Sequence, residues 1–303
     1  MAGLLEGVPV AVLGGDRREV ELVRALAASG ARVRVAGLPA GGVPGVERVR
    51  SAREAVAGAR AVVAPMSGTD EHGRVPTPLE PSAGLRLGRE LFGQMGSGTP
   101  LFIGTVRPAV AQAAAAAGVR VIEVAEIDEI AIANSVPTAE GAVQIAMEKL
   151  PVTIHGARAL VIGFGRCGFT LARLLDAMGA CVDIVSRRAS DLARAEAMGL
   201  SAWPWPKMRE AVWDRDVIFN TVPAPVLGEA VLARTRPGVL IVDIASAPGG
   251  TDFAAARRLG REALLAPGLP GKVAPVTAGR ILARHLPGLI QAELVRSSKG
   301  ASP

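Results

Sequence analysis

The residues with the clearest chemical meaning are three glycines spaced as G-x-G-x-x-G in the second half of the chain. The segment Gly163-Phe164-Gly165-Arg166-Cys167-Gly168 follows an apolar run, 159–162, and is followed by an amphipathic stretch, 169–178, and a second apolar run, 181–185. In such a unit the glycines allow a tight turn, close approach of a pyrophosphate, and packing of helix on strand. The helix N-terminus favours the phosphates through its free N–H groups and its dipole. The pattern predicts that this segment binds a pyridine dinucleotide.

The end of the second apolar run indicates which dinucleotide is bound. An NAD-specific site would place Asp or Glu here to hold the ribose 2′-hydroxyl. This sequence has Ser186-Arg187-Arg188 instead, with no carboxylate where one would be needed. A hydroxyl and a guanidinium suit a 2′-phosphate through charge-assisted hydrogen bonds. NADP is therefore the predicted cofactor, with NAD as the alternative, although one of the arginines could be only a solvated surface residue.

Two later strand ends are expected to border the nicotinamide. They are Asn220-Thr221-Val222-Pro223 and the segment that begins at Asp243. The carboxyl ends of parallel strands line the ligand crevice of an open α/β sheet. Either segment could also be only a turn.

Candidate substrate residues lie in the first half of the chain. After Gly14-Gly15 the sequence reads Asp16-Arg17-Arg18. Two arginines at the start of a helix are unfavourable unless an anion is present, so this is a candidate site for a carboxylate. Asp16 could equally be only a helix cap. His72, in a polar loop, could act as acid or base, or could be an ordinary solvated histidine.

The region between the two halves supplies the remaining candidates. We predict a connecting helix at 136–150, with Pro137 in its first turn and a capping hydroxyl from Ser135 or Thr138. Asn134 and Glu140 would then line a cleft between two domains. Lys272, in a loop rich in glycine and proline at 267–275, is a further candidate for binding a substrate carboxylate.

The order of apolar and amphipathic segments predicts the fold class. Strands are expected at 8–13, 32–35, 61–64, 101–103 and 119–122, and in a second series at 159–162, 181–185, 216–220, 240–243 and 263–265. Helical patterns separate them, which is typical of doubly wound parallel sheets. We predict two Rossmann-like α/β domains. The first combines 1–135 with 277–303, whose helix returns to it, and the second comprises 151–276.

Composition excludes several classes of protein. The net charge is +6, but the 34 Lys and Arg are scattered and no aromatic residues alternate with them, so anionic small molecules are favoured over nucleic acid. No metal site is predicted, because no group of His, Cys, Asp and Glu has metal-ligand spacing. Cys167 and Cys181 are expected to be buried thiols of a reducing compartment. Without a signal peptide or a long apolar run, the protein is expected to be soluble and cytoplasmic, with no membrane partner.

The chain resembles the A subunits of bacterial dipicolinate synthase. Five segments carry the resemblance: Gly14–Glu19, Gly68–Asp70, Asn134–Ala142, Gly163–Gly168 and Gly268–Pro275. The glycine fingerprint is shared with many dehydrogenases, but the Pro-Thr-Ala-Glu-Gly and Gly-Leu-Pro-Gly-Lys sequences within these segments are much more particular to this family. The resemblance also implies a build similar to that of formate/glycerate-type dehydrogenases.

The resemblance implies that the protein oxidises a dihydrodipicolinate-type dicarboxylate to dipicolinate with NADP, in the mother cell of a sporulating bacterium. It also implies a flavoprotein-like B subunit of dipicolinate synthase for a partner, and a homo-oligomer is expected. It assigns no catalytic side chain. From the residues, Arg17, Arg18 and Lys272 are candidates for the carboxylates, and Asp16, His72 or Glu140 for the proton. Two alternatives are another NADP-dependent 2-hydroxy- or amino-acid dehydrogenase, and a non-catalytic NADP-binding regulatory protein.

Overall fold

Two six-stranded parallel sheets, each in its own structural unit, organise the chain in the computed structural model, which describes residues 3–40 and 42–299. The described residues of Met1–Ala133 and Ala274–Pro303 form unit 1, and Asn134–Val273 form unit 2. The predicted fold class is confirmed. Gly41 and the ends of the predicted first domain, at 1–2 and 300–303, lie outside the described residues. No helix in 3–40 or 42–299 is both long and apolar enough to cross a membrane.

The sheet of unit 1 has the strand order β3-β2-β1-β4-β5-β6. Its strands are β1 (Pro9–Leu13), β2 (Arg32–Ala36), β3 (Val46–Arg48), β4 (Ala61–Val63), β5 (Pro100–Ile103) and β6 (Arg120–Glu123). Its helices are α1 (Arg17–Ala28), α2 (Ala52–Val56), α3 (Arg89–Phe92), α4 (Pro108–Ala116) and the C-terminal α12 (Pro275–Lys299), with α5 (Asp128–Lys149) leading into unit 2. The order reverses between β1 and β4, which is where open α/β sheets form their ligand crevice.

Helix α12 packs on α1 and completes one face of unit 1. Leu282, Leu286 and Ile290 are at most 3% exposed and share a hydrophobic cluster with Leu22 and Leu26. Contact between the two helices is close, because a side chain at Gly279 would lie 2.8 Å from the backbone oxygen of Arg18. The helix predicted within 277–303 is therefore confirmed, and it begins slightly earlier, at Pro275.

The sheet of unit 2 has the strand order β12-β11-β10-β7-β8-β9. Its strands are β7 (Arg158–Ile162), β8 (Cys181–Ser186), β9 (Ser201–Pro204), β10 (Val217–Asn220), β11 (Leu240–Asp243) and β12 (Glu262–Leu265). The helices after α5 are α6 (Arg166–Ala177), α7 (Ala189–Ala197), α8 (Met208–Ala211), α9 (Glu229–Leu232), α10 (Phe253–Arg258) and α11 (Leu269–Val273). Here the order reverses between β7 and β10, so the glycine segment after β7 lies at the switch point.

The start predicted for the connecting helix is wrong. Helix α5 begins at Asp128, and Pro137 lies inside it. Neither predicted capping hydroxyl acts as a cap: the Thr138 hydroxyl donates to the backbone oxygen of Asn134, and the Ser135 hydroxyl lies 2.6 Å from that of Thr170 on α6. The polar residues on both sides of Pro137 resemble the N-terminus of a helix, although this segment lies within α5.

The loop predicted around Lys272 is also partly wrong, because Leu269–Val273 forms the short helix α11. Leu269 is 3% exposed, and a side chain on Gly141 of α5 would come within 3.1 Å of its Cβ atom. Burial of this leucine against α5 accounts for a helix in a segment rich in glycine and proline.

Candidate functional site

The predicted dinucleotide segment has the geometry of a phosphate-binding turn. Gly163 follows β7 with φ of +92°, a value that favours glycine. Gly165 is the N-cap of α6, so the N-cap residue has no side chain that could cap this helix. Arg166 and Cys167 form its first turn, and Phe164 is buried in the core. The strand–loop–helix unit predicted from the glycine spacing is thus present in unit 2.

The second and third glycines of the segment serve different purposes. A Cβ atom on Gly168 would lie 2.1 Å from the backbone oxygen of Gly163, so any side chain here would force the helix away from the strand. A Cβ atom on Gly165 would meet nothing within 4 Å. Gly168 is required by packing, whereas Gly165 leaves open space in front of the helix N-terminus. That space fits a pyrophosphate.

A carboxylate from α7 lies behind the end of β8, although the strand end itself has none. Asp191 of α7 accepts hydrogen bonds from Ser186 Oγ at 2.7 Å and Arg188 Nε at 2.9 Å. Asp191 is 2% exposed, so it is buried beneath the end of β8. Arg187 is exposed, and its guanidinium lies 5.6 Å from the ring centroid of Trp205. Arg187 is therefore the group at this strand end that is best placed to contact a ligand.

Asn220 and Asp243 lie side by side at the ends of β10 and β11. Both are fully buried, and Asn220 Nδ2 donates to Asp243 Oδ1 at 3.0 Å. The same carboxylate accepts from three further groups: the backbone N–H groups of Ala245 and Gly250 and the hydroxyl of Thr251. Because these side chains are enclosed, we restrict the predicted nicotinamide contact to the more accessible Thr221, Val222 and Pro223.

The prediction that both cysteines are buried is wrong. Cys181 is exposed and Cys167 is only partly buried, and both are free thiols. Burial raises the pKa of Cys167, although the nearby Arg166 opposes this effect. Cys167 therefore remains a neutral thiol at neutral pH, even in the first turn of a helix.

In unit 1, Asp16 and Arg18 form a tight ion pair at the start of α1. Arg18 Nη2 donates to Asp16 Oδ2 at 2.8 Å, and Arg18 Nε donates to Asp16 Oδ1 at 3.0 Å. Asp16 also caps α1 by accepting the backbone N–H of Arg18 at 2.9 Å. Burial acts to raise the pKa of Asp16, but the hydrogen bonds from Arg18 outweigh it, so the pKa lies below its ordinary value. Asp16, the predicted helix cap, and Arg18, a predicted anion-binding residue, therefore form an ion pair with each other.

Glu19 completes this cluster and was not singled out from the sequence. Its Oε2 atom accepts the backbone N–H of Asp16 at 2.8 Å, and its Oε1 atom accepts that of Met66 at 2.9 Å. The side chain is 1% exposed, and burial raises its pKa. The capping-box pattern, Asp16-x-x-Glu19, was the signal that could have revealed it.

Other predicted substrate residues of unit 1 lie in exposed positions. Arg17 is exposed in the first turn of α1. His72 is exposed in the loop after β4, and its backbone, not its ring, makes the bonds found there: its N–H donates to Asp70 and its carbonyl accepts from Arg86. In the same loop the Thr69 hydroxyl is buried and has no hydrogen-bond partner among the described residues. Thr69 therefore has an unused polar group.

The predicted residues of α5 and α11 differ in exposure. Asn134 is 9% exposed, and its Nδ2 atom has no hydrogen-bond partner among the described residues. Glu140 is exposed and lines a groove of about 440 Å³ together with apolar side chains such as Val143 and Met147. Lys272 is exposed on α11. Of these residues only Asn134 combines burial with an unsatisfied polar group.

Comparison with known proteins identifies the class of unit 2. Residues 131–250 match the family described as D-isomer specific 2-hydroxyacid dehydrogenase, NAD binding domain. The structure also resembles the apo-structure of D-lactate dehydrogenase from Escherichia coli, with a TM-score of 0.62 at 16% identity over 94% of this chain and 96% of that one, which is a likeness of fold. The chain is an oxidoreductase of the dehydrogenase class with a domain for a nicotinamide dinucleotide.

Closer relatives define the family. Residues 9–125 match the family described as the N-terminal domain of the dipicolinate synthase A subunit. The A subunit of dipicolinate synthase from Bacillus subtilis is 37% identical over 295 residues, covering 96% of this chain and 99% of that protein. The crystal structure of the A subunit from Bacillus halodurans matches with a TM-score of 0.91 at 36% identity, over 99% of this chain and 100% of that one. The chain belongs to the family of dipicolinate synthase A subunits.

Proposed function

We propose that this protein oxidises dihydrodipicolinate to dipicolinate and reduces NADP. The observation that carries the proposal is the open glycine turn of unit 2, where Gly165, the N-cap of α6, leaves space before the helix N-terminus. Membership of the family of dipicolinate synthase A subunits supports the choice of a ring dicarboxylate as substrate. When bound, NADP supplies the acceptor for a hydride. The ring must lose a proton as well to become aromatic.

We assign cofactor recognition to the glycine segment and the end of β8. The N–H groups of the first turn of α6 would hold the pyrophosphate. Arg187, exposed beside Trp205, would bind the 2′-phosphate, since a guanidinium forms paired hydrogen bonds with phosphate oxygens. Arg188 would contribute less, because Asp191 already accepts from its Nε atom.

We assign substrate binding to the Asp16–Arg18 pair of unit 1, with Arg17 as a further carboxylate-binding group, and Lys272 of unit 2 is a separate candidate for binding a carboxylate. Asp16 uses the Nε and Nη2 atoms of Arg18, and the Nη1 group makes no hydrogen bond within the described residues. A guanidinium oriented in this way can bind a carboxylate. Asp16 is ionised at neutral pH and can therefore accept a proton, and its lowered pKa makes it a weak base. His72 and Glu140 are the alternative acceptors.

We further propose that the protein acts with the flavoprotein-like B subunit of dipicolinate synthase, and that it forms a homo-oligomer in the cytoplasm of the mother cell of a sporulating bacterium. The name of the Bacillus subtilis relative, which describes one of several subunits, supports a second kind of subunit in the complex.

The activity is tested by mixing the purified protein with dihydrodipicolinate generated enzymatically, with NADP or NAD, and with or without the B subunit. We expect NADPH fluorescence and pyridine absorbance to rise together. If neither signal rises under any of these conditions, the proposed reaction is wrong. Cofactor binding without turnover, with the B subunit present, would instead favour a regulatory role.

Cofactor choice is tested by Arg187→Asp. We expect the Kd for NADP to rise about 10- to 100-fold, the equivalent of losing one charge-assisted contact of about 1.5–3 kcal/mol, and the Kd for NAD to change little. Fluorescence titration with NADPH and NADH measures both constants. Arg209→Asp, an identical charge change at an exposed position on α8, is the control and should affect neither. Equal losses for the two cofactors would show that Arg187 does not read the 2′-phosphate.

A further inference from the structure

The chain contains two glycine turns that correspond residue by residue. Each follows the first strand of its unit's sheet, and each is followed by a helix, α1 or α6. The N-caps are Asp16 and Gly165, and the third residues of the helices are Glu19 and Gly168. The position that holds the third glycine of the fingerprint in unit 2 thus holds an acid in unit 1.

The two turns satisfy their backbone N–H groups in different ways. In unit 2 the N-cap of α6 is Gly165, which has no side chain that could accept these N–H groups. In unit 1 both acids accept backbone N–H groups, Asp16 from Arg18 and Glu19 from Asp16. Gly15 makes room for this, since a Cβ atom there would lie 2.4 Å from Glu19 Oε2. Glu19 therefore supplies unit 1 with an internal hydrogen-bond acceptor at the position where unit 2 leaves room for a phosphate.

The other carboxylate oxygen of Glu19, Oε1, accepts a hydrogen bond from the backbone N–H of Met66. Met66 lies in the loop after β4, and β1 and β4 are adjacent at the point where the strand order reverses. One carboxylate thus joins the two loops that border the crevice of unit 1. Beside it lies a cavity of about 10 Å³ lined mainly by apolar residues such as Leu22 and Leu286. A cavity of this size is at the lower limit for a single water molecule, so the two hydrogen bonds face little competition from solvent.

We propose that Glu19 is a positioning residue: by joining the loops after β1 and β4 it holds Asp16 and Arg18 in the geometry that binds the substrate dicarboxylate. The substrate part of this inference rests on the proposed function. Glu19 itself does not touch the substrate. Its place in the fold also closes the glycine turn of unit 1 to a dinucleotide, so that the chain binds a single dinucleotide, in unit 2.

The test compares Glu19→Gln and Glu19→Ala with the wild-type protein. Gln keeps the shape of Glu but has one carbonyl oxygen for two N–H groups. We expect the KM for dihydrodipicolinate to rise about tenfold or more in Glu19→Gln, with the Kd for NADPH unchanged within about twofold. In Glu19→Ala, formate should restore part of the lost substrate affinity by occupying the vacated carboxylate position, and chloride at equal ionic strength should not. An unchanged KM in Glu19→Gln, or no difference between formate and chloride, would overturn the proposal.

Glu54→Gln is the matched control. Glu54 is the third residue of α2, as Glu19 is of α1, and Ser51 is the N-cap of α2. The Glu54 side chain accepts the backbone N–H of Arg50, the residue before that N-cap. It does not join β1 to β4. If the effect of Glu19 came only from helix capping, both variants would change KM alike. We expect Glu54→Gln to leave KM unchanged.

Hydrogen exchange separates this inference from the proposed reaction. Glu19→Gln should increase exchange in peptides containing Asp16 and Met66, with no change in peptides containing Gly163 to Gly168. This result can be obtained whether or not the wild-type protein turns over dihydrodipicolinate. Absence of turnover together with the expected exchange pattern would reject the reaction and keep the joining role of Glu19. Unchanged exchange at both loops would reject that role, whatever the activity.

Discussion

Replacing Gly165 with valine is expected to abolish dinucleotide binding and leave the fold intact. Gly165 has φ of −82° and ψ of −157°, which any residue can adopt, and no atom lies within 4 Å of a Cβ atom placed there. The valine side chain would fill the space in front of α6, where the pyrophosphate must approach the backbone. We expect the Kd for NADPH to rise at least about 100-fold, which corresponds to about 2.7 kcal/mol. Fluorescence titration measures the Kd, and a urea melt measures stability.

Two other glycine substitutions serve as controls for Gly165→Val. Gly228 is the N-cap of α9, with φ of −76° and open space around its Cβ position, so Gly228→Val should bind NADPH normally. Gly168→Ala should instead destabilise unit 2, since its Cβ atom would lie 2.1 Å from the Gly163 oxygen. Normal NADPH binding by Gly165→Val would mean that the dinucleotide does not cross this turn.

Replacing Asp243 with alanine is expected to destabilise unit 2 by about 3 kcal/mol or more. The carboxylate accepts hydrogen bonds from Asn220, Ala245, Gly250 and Thr251, and all four donors would lose a buried partner. These bonds join the ends of β10 and β11, so NADPH affinity should fall as well. All three tryptophans of the chain, Trp203, Trp205 and Trp213, lie in unit 2, and their fluorescence during urea unfolding therefore reports its stability.

Asp252→Ala is the control for Asp243→Ala. Asp252 caps α10 by accepting one backbone N–H, that of Ala255, at 2.8 Å. Its loss should cost about 1 kcal/mol, as is typical of a helix cap. Equal losses of stability in the two variants would show that the four-donor arrangement around Asp243 adds nothing beyond a single cap.

The sheet strands could be predicted from the sequence where they are buried. The runs of β1, β7, β10 and β11 are apolar nearly throughout, and the structure confirms them. The edge strands β3 and β9 were missed, because each is short and largely exposed, and is mostly polar or interrupted by proline. Edge strands gain their structure from pairing with a neighbour, which a local pattern does not contain.

Helix ends depended on tertiary contacts that the sequence does not display. Pro137 resembled a first-turn proline, but α5 continues through it from Asp128. The helix α11 forms because Leu269 is buried, although its glycine and proline content is typical of a loop. In both segments packing overrode the local preference for a helix boundary or a turn.

The candidate site was predictable to the extent that backbone geometry encodes it. The spacing of Gly163, Gly165 and Gly168 was sufficient to predict the glycine turn between β7 and α6. The partners of charged residues were not predictable, because they come from other segments: Asp191 approaches Ser186 across a helix start, and Glu19 reaches Met66 on another strand's loop. A charge in the sequence indicates that a partner is needed, but only the fold determines which one.

The return of α12 to unit 1 affects the order in which the protein can fold during synthesis. Unit 2 ends at Val273, so all of its strands have been made before α12 begins. Unit 1 lacks Leu282, Leu286 and Ile290, which cover α1, until the C-terminal helix has been translated. The N-terminal part of unit 1 therefore has part of its core exposed during synthesis. Unit 2, which is synthesised after it, can already be complete at that stage. Domains usually fold in the order of their synthesis, and the topology of this chain reverses that order.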